Sequence, residues 1–129
     1  MGKVEHLVIT GGEPFMQLDD DILEALSNYK IHVETNGSLP HDGLRSYIYH
    51  ITCSPKQHAR ETVLEDYDDL KVLYPYQWDS IDKYKAPNRG RFLQPIFGDN
   101  TNQNMKDIIP LLDGDIRLSI QTHKYIGMP

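Results

Sequence analysis

The chain has 129 residues, with 13 Lys and Arg against 19 Asp and Glu, and a formal charge of -6 at pH 7. That balance argues against a general affinity for nucleic acid phosphates, and the length fits one domain, 1–129, with a single modest core. One cysteine, Cys53, excludes an intrachain disulfide framework and any multi-cysteine metal site built by this chain alone; with no charged-then-apolar leader and no bilayer-length apolar run, the chain reads as soluble, cytoplasmic and without a membrane partner.

Residues 4–10 are short, β-branched and apolar, which predicts a strand. The strand runs into the corner Gly11-Gly12-Glu13-Pro14. Leu18, Ile22, Leu23 and Leu26 follow at helical spacing, and Asp19, Asp20 and Asp21 suit the N-terminal end of a helix dipole better than a hard-cation site. A second strand spans 31–35 and stops at Asn36-Gly37. A turn around Leu44 leads to a third strand in "YIYHITCS", residues 47–54. A fourth covers 70–74, and a fifth lies around 92–94. The polar, proline-bearing stretch 75–91 reads as a loop or small insertion within the domain. Apolar residues at helical spacing span 104–112, and "DIRLSIQT" makes a sixth strand.

Strands alternating with helices or long loops predict an α/β fold with a parallel sheet. In such sheets ligands bind beyond the carboxyl ends of the strands. The unusual polar clusters all fall at that end: Thr10 to Pro14, Glu34 to Gly37, Cys53 to Lys56, Gln94-Pro95, and Gln121 to Lys124. One edge of the sheet is therefore expected to be a binding site.

Each cluster also has a plainer reading. The two glycines admit a ligand close to the backbone, or simply make a tight turn. Glu34 before its turn suits paired hydroxyls such as those of a ribose, or is a solvated acid beside an Asn-Gly turn. Ser54-Pro55-Lys56 offers a hydroxyl and a cation for a carboxylate, though a surface Lys is commoner. Gln94 can present its amide to a purine edge or satisfy backbone groups. Gln121, His123 and Lys124 can act only if the tail is held in place. His6, His32, His41, His50 and His58 lack paired ligand spacing and read as ordinary histidines. Tyr47, Tyr49, Tyr74 and Tyr76 alternate on strand-like segments, which suggests packing.

The strings "ITGGEP", "VETNG", "SPK", "DDLKVLY", "FLQP" and "RLSIQTHKYIGMP" stand in the order found in 7-carboxy-7-deazaguanine synthases, and the chain resembles that family. Gly-Gly-Glu-Pro alone is shared across the radical S-adenosylmethionine superfamily. The closing "QTHK" with "GMP" and a terminal proline is far more specific. The resemblance covers essentially all of this chain, but only the C-terminal part of the family's chain.

The resemblance implies a shortened, partial (β/α) barrel of the radical S-adenosylmethionine type, here without the N-terminal cluster-binding elements. It implies a carbon-nitrogen lyase of queuosine biosynthesis that uses S-adenosylmethionine, a 4Fe-4S cluster and magnesium, and that forms a homodimer. The family's substrate is 6-carboxy-5,6,7,8-tetrahydropterin, whose ring contracts to 7-carboxy-7-deazaguanine. Carried onto this sequence, Gly12 meets the methionine end of S-adenosylmethionine. Ser54, Pro55 and Lys56 line the same cofactor, as do Gln94, Pro95, Ile96 and Phe97, with Glu34 near the ribose. Thr10 touches the pterin, and Pro129 offers its terminal carboxylate to it. No catalytic residue is assigned.

The family's cluster is held by three cysteines in its N-terminal part. Cys53 is elsewhere and reads as a small core residue. No metal ligand is therefore expected in this chain, and alone it should neither catalyse the reaction nor bind S-adenosylmethionine well. A cysteine-bearing N-terminal segment or chain is the partner this implies. Three readings stay open: the C-terminal portion of a synthase, a non-catalytic adenosyl- or nucleotide-binding remnant, and an interaction module using an exposed strand edge at 4–10. Thr10, Lys56, Gln94 and the terminal proline count against the third.

Overall fold

The computed structural model describes residues 3–56 and 58–128. Its strands are β1 (His6–Ile9), β2 (Lys30–Thr35), β3 (His50–Cys53), β4 (Asp69–Tyr74), β5 (Gly90–Pro95) and β6 (Ile116–Leu118). Its α-helices are α1 (Asp20–Ala25), α2 (Thr101–Ile108) and α3 (Thr122–Tyr125). The six strands form one sheet in chain order, and every neighbouring pair is parallel. This is the α/β architecture that the alternation of elements predicts.

Boundaries move where backbone groups find other partners. Leu18 does not open a helix: Pro14–Met16 form a 3-10 turn capped by Glu13, and Asp19 then caps α1, accepting from the Ile22 N–H at 2.9 Å. The acids at 19–21 thus serve a helix start. The third strand begins at His50, because Leu44–Tyr47 form a 3-10 turn. Within the expected loop, Trp78–Lys83 is a 3-10 segment that buries Ile81. α2 starts earlier than expected, at Thr101, and tightens into a 3-10 turn at Ile109–Leu111, where Pro110 has no N–H to continue the α-helical ladder. β6 is only three residues long, and Thr122, expected in that strand, opens α3.

On one face of the sheet the period-two pattern buries Ile31, Val33, Ile51, Cys53, Leu70, Val72 and Leu93. Leu23 of α1, Ile108 of α2 and Tyr67 complete the same core. Each fully buried aliphatic side chain contributes about 1.5–3 kcal/mol. The packing expected of the four tyrosines is corrected: Tyr47, Tyr49 and Tyr76 are exposed, Tyr76 by 82 %, and Tyr74 alone of the four packs against the core. Tyr47 lies in the turn before β3 and Tyr76 lies past β4, so strand alternation does not govern them. Tyr67 and Tyr84 are the buried tyrosines among the described residues.

The opposite face is polar and half-buried. His6 Nδ1 lies 2.8 Å from His32 Nε2, the His32 and His50 rings are 5.6 Å apart, and His50 Nε2 is 2.9 Å from Asp69 Oδ2. Register makes this row, since His32 pairs with His50 across β2 and β3. Burial lowers the His32 pKa from 6.5, and the neighbouring His50 and His6 lower it further. Among the described residues, no group of three or more His, Cys, Asp or Glu side chains is placed to hold a metal ion. No helix among them is long and apolar enough to cross a membrane.

Asp68, just before β4, is buried and fully engaged. Its two oxygens accept from Arg45 Nη2 at 3.0 Å each, and Oδ2 also accepts from the Ile51 N–H at 2.8 Å. This ties the turn before β3 to the sheet.

Candidate functional site

β1 ends at Ile9, and the chain must then leave the sheet for α1. Gly11 (φ +84°) and Gly12 (φ +58°) take left-handed backbone that a Cβ disfavours. Glu13 follows and is only 7 % exposed. Its Oε1 accepts from Thr35 Oγ1 at 2.6 Å and from the Phe15 N–H at 3.3 Å, while Oε2 accepts from the Asn36 N–H at 2.9 Å. Thr35 Oγ1 in turn accepts from the Gly37 N–H at 3.1 Å. The acid of Gly-Gly-Glu-Pro is therefore a clamp joining the ends of β1 and β2. Three donors offset the cost of burying its carboxylate. Pro14 stands at the first position of the 3-10 turn, where a missing N–H leaves nothing unpaired.

Next to this clamp the end of β2 closes onto β3. Gly37 has φ +73°, and a Cβ there would lie 2.7 Å from Cys53 Sγ and 2.9 Å from Thr62 Cγ2. Cys53 itself is fully buried. Burial, with a contribution from the Glu13 carboxylate, pushes its thiol up to about 12.

Above this floor is a cleft of about 240 Å³. Thr10 and Gly12 reach it from beyond β1, and Glu34, Thr35 and Asn36 from the end of β2. Ser54, Pro55 and Lys56 follow β3, Lys71 and Leu73 belong to β4, Gln94 to β5, and Gln121 comes after β6. All six strands thus contribute, at the edge where parallel α/β sheets bind ligands. Lys71 Nζ donates to Glu34 Oε2 at 2.7 Å across the cleft wall. Ser54 Oγ, also in the wall, is buried with no hydrogen-bond partner among the described residues. Such an atom costs free energy unless a ligand or water meets it.

No protein-family model matches the chain. Several curated proteins named 7-carboxy-7-deazaguanine synthase do, among them the following three. That of Caulobacter vibrioides is 37% identical over 99% of this chain and 62% of its own length. That of Burkholderia multivorans is 38% identical over 99% of this chain and 62% of its own. That of Bacteroides thetaiotaomicron is 35% identical over 95% and 64%. The chain is a sequence relative of the 7-carboxy-7-deazaguanine synthases. It spans about three fifths of the length of these relatives.

Of the residues that the resemblance to these synthases singled out, Thr10, Gly12, Glu34, Ser54, Pro55, Lys56 and Gln94 meet in the cleft. Pro95, Ile96 and Phe97 do not line it. Pro95 is buried within the sheet, and the Ile96 N–H donates to the Tyr74 carbonyl at 3.2 Å, extending the ladder. The Phe97 ring stands 5.7 Å, edge to face, from Tyr125, with Lys124 Nζ 5.4 Å from its centroid. Phe97 thus anchors the C-terminal segment. Tyr125 strengthens that anchor by donating to Met105 Sδ at 3.2 Å, and the Met128 N–H donates to the His123 carbonyl at 2.9 Å. The role given to Pro129 lies outside the described residues.

Sequence reasoning missed Lys71 and Leu73, because alternating residues inside a strand carry no mark of the ligand they face. It noted Thr35, Asn36 and Gln121 only as members of strand-end clusters. It also missed that Glu13 is structural: the signal was an acid between glycines and a proline, a place where a solvated side chain is the ordinary outcome.

Proposed function

We infer that these residues are the C-terminal part of a 7-carboxy-7-deazaguanine synthase, a radical S-adenosylmethionine lyase of queuosine biosynthesis. The fold would be the shortened (β/α) barrel of that family, with the six parallel strands as part of its wall. The observation that most supports this reading is the convergence of six strand ends on one cleft, with an unpartnered Ser54 hydroxyl in its wall. The chain's 37% identity to a named synthase over 99% of its length supports reading the cleft in terms of that enzyme's chemistry.

S-adenosylmethionine, held by this cleft, would supply adenosyl-radical chemistry toward the pterin once a cluster borne outside these residues delivered an electron. The residues of this chain bind and orient. The corner at Gly12 admits the methionine end without a Cβ in the way. Ser54 and Lys56 offer a hydroxyl and a cation suited to its carboxylate. Glu34 accepts from the ribose hydroxyls, Gln94 addresses the purine edge, and Thr10 meets the pterin. A homodimer and a cytoplasmic setting go with this reading.

A 4Fe-4S cluster needs thiolate ligands. The chain has one cysteine, and its thiol is buried and held protonated. These residues therefore do not fit a cluster, and its ligands would come from a cysteine-bearing segment or chain.

The test is reconstitution. Co-expression with a segment bearing three closely spaced cysteines is expected to give cluster absorbance and formation of 7-carboxy-7-deazaguanine. If neither appears, the reading is wrong.

A further inference from the structure

We propose that Lys71 is a positioning residue that makes the cleft selective for a ligand with a vicinal diol, acting through Glu34. This rests on reading the cleft as an adenosyl site and names the part of that ligand which Lys71 governs.

Glu34 sits on β2 and Lys71 on β4, with β3 between them. Strands in a sheet are spaced about 4.8 Å apart, so the two backbones stand roughly 10 Å from one another. Only two extended side chains reaching toward each other close that gap, and they do, at 2.7 Å. Register puts both on the polar face: Glu34 pairs with Thr52, Thr52 pairs with Asp69, and Lys71 is the next residue on that face of β4. Both side chains are partly exposed, 35 % for Glu34 and 23 % for Lys71, and both line the cleft.

The consequence is an asymmetric carboxylate. Oε2 is taken by Lys71, whereas Oε1 has no protein hydrogen bond among the described residues. A carboxylate fixed at one oxygen presents the other at a set angle, ready to accept from two adjacent hydroxyls. An acid used in this way is how dinucleotide folds recognise a ribose. Without the lysine, the Glu34 side chain regains its rotamers and must be ordered by the ligand itself. Lys71 acts through Glu34 and need not touch the ligand.

Calorimetric titration of the chain with adenosine and with 2′-deoxyadenosine tests this, because neither probe needs an iron to hold it. The wild-type chain is expected to prefer adenosine by about tenfold to a hundredfold, the range of a hydrogen bond to a charged group. Lys71→Met is expected to bring that ratio close to one by weakening adenosine far more than 2′-deoxyadenosine. Lys71→Arg, which keeps the cation and its reach, is expected to restore most of the preference. Lys71→Met with Glu34→Gln is expected to lose no more than either change alone. Equal weakening of both nucleosides by Lys71→Met overturns the proposal, since it makes Lys71 a general support of the site. An unchanged ratio overturns it as well. A wild-type chain that binds both nucleosides equally overturns the diol role but leaves the adenosyl reading standing. A wild-type chain that binds neither removes the adenosyl reading and this inference with it.

Discussion

Val33 and Glu34 are neighbours on β2 and serve opposite faces of one sheet. Val33 is 1% exposed and joins the core, whereas the Glu34 side chain is 35% exposed and is ion-paired with Lys71. The contrast repeats on the next strands, where Ile51 and Cys53 alternate with His50 and Thr52, and Leu70 and Val72 with Asp69 and Lys71. One face is closed by apolar packing, which carries most of the folding free energy. The other is held by hydrogen bonds and ion pairs that each contribute little in partial contact with water. The lesson is a division of labour: the polar face can be arranged for binding because the fold does not depend on it.

The largest test of that division is Leu93→Ala on the core face, expected to cost about 2–5 kcal/mol in urea unfolding, since Leu93 is wholly buried. Glu34→Gln on the polar face is expected to change stability by less than about 1 kcal/mol. Comparable losses from the two would dissolve the comparison. Next comes Gly37→Ala, where left-handed backbone and a contact of 2.7 Å with Cys53 Sγ combine. A loss of about 2–4 kcal/mol is expected; a neutral effect would show that the β2 and β3 ends do not close as described.

Glu13→Gln sharpens the comparison at the seam between the faces. The amide keeps one acceptor but turns an NH₂ toward donors at Thr35, Asn36 or Phe15. We expect a loss of about 1–3 kcal/mol. A variant as stable as wild type would mean that the clamp is dispensable. The smallest effect is acid sensitivity. His32 binds its proton less readily in the folded chain than at its ordinary value of 6.5. As pH falls through that value the unfolded chain takes up more protons, so stability present above it declines below it. Melting temperature is expected to drop over this range, and His32→Gln to shallow the drop. Identical pH profiles for the two chains would disconnect the histidine row from stability.

Much of this was legible in the order of residues. Strand positions follow from short β-branched runs, and parallel pairing from their alternation with helices and long connections. The strand-end clusters at Thr10, Glu34, Ser54 and Gln94 were visible because glycine, proline and polar residues interrupt apolar runs at one end of each strand. The placement of Phe97 against Tyr125 was not legible, since an aromatic residue next to a binding motif looks the same whether it lines a cleft or packs on a tail. The tyrosines misled for a related reason: alternation was extended to positions before β3 starts and past the point where β4 stops.

The sequence by itself determined which segments become strands, which face of each is apolar, and which end of the sheet gathers unusual residues, because these depend on local periodicity and backbone preference. Only the tertiary structure decided that Glu13 is a buried clamp, that His6, His32 and His50 form a row, and that Lys71 reaches Glu34. Those facts depend on strand order and register, which bring together side chains 22, 26 and 37 residues apart, and no local pattern encodes such distances.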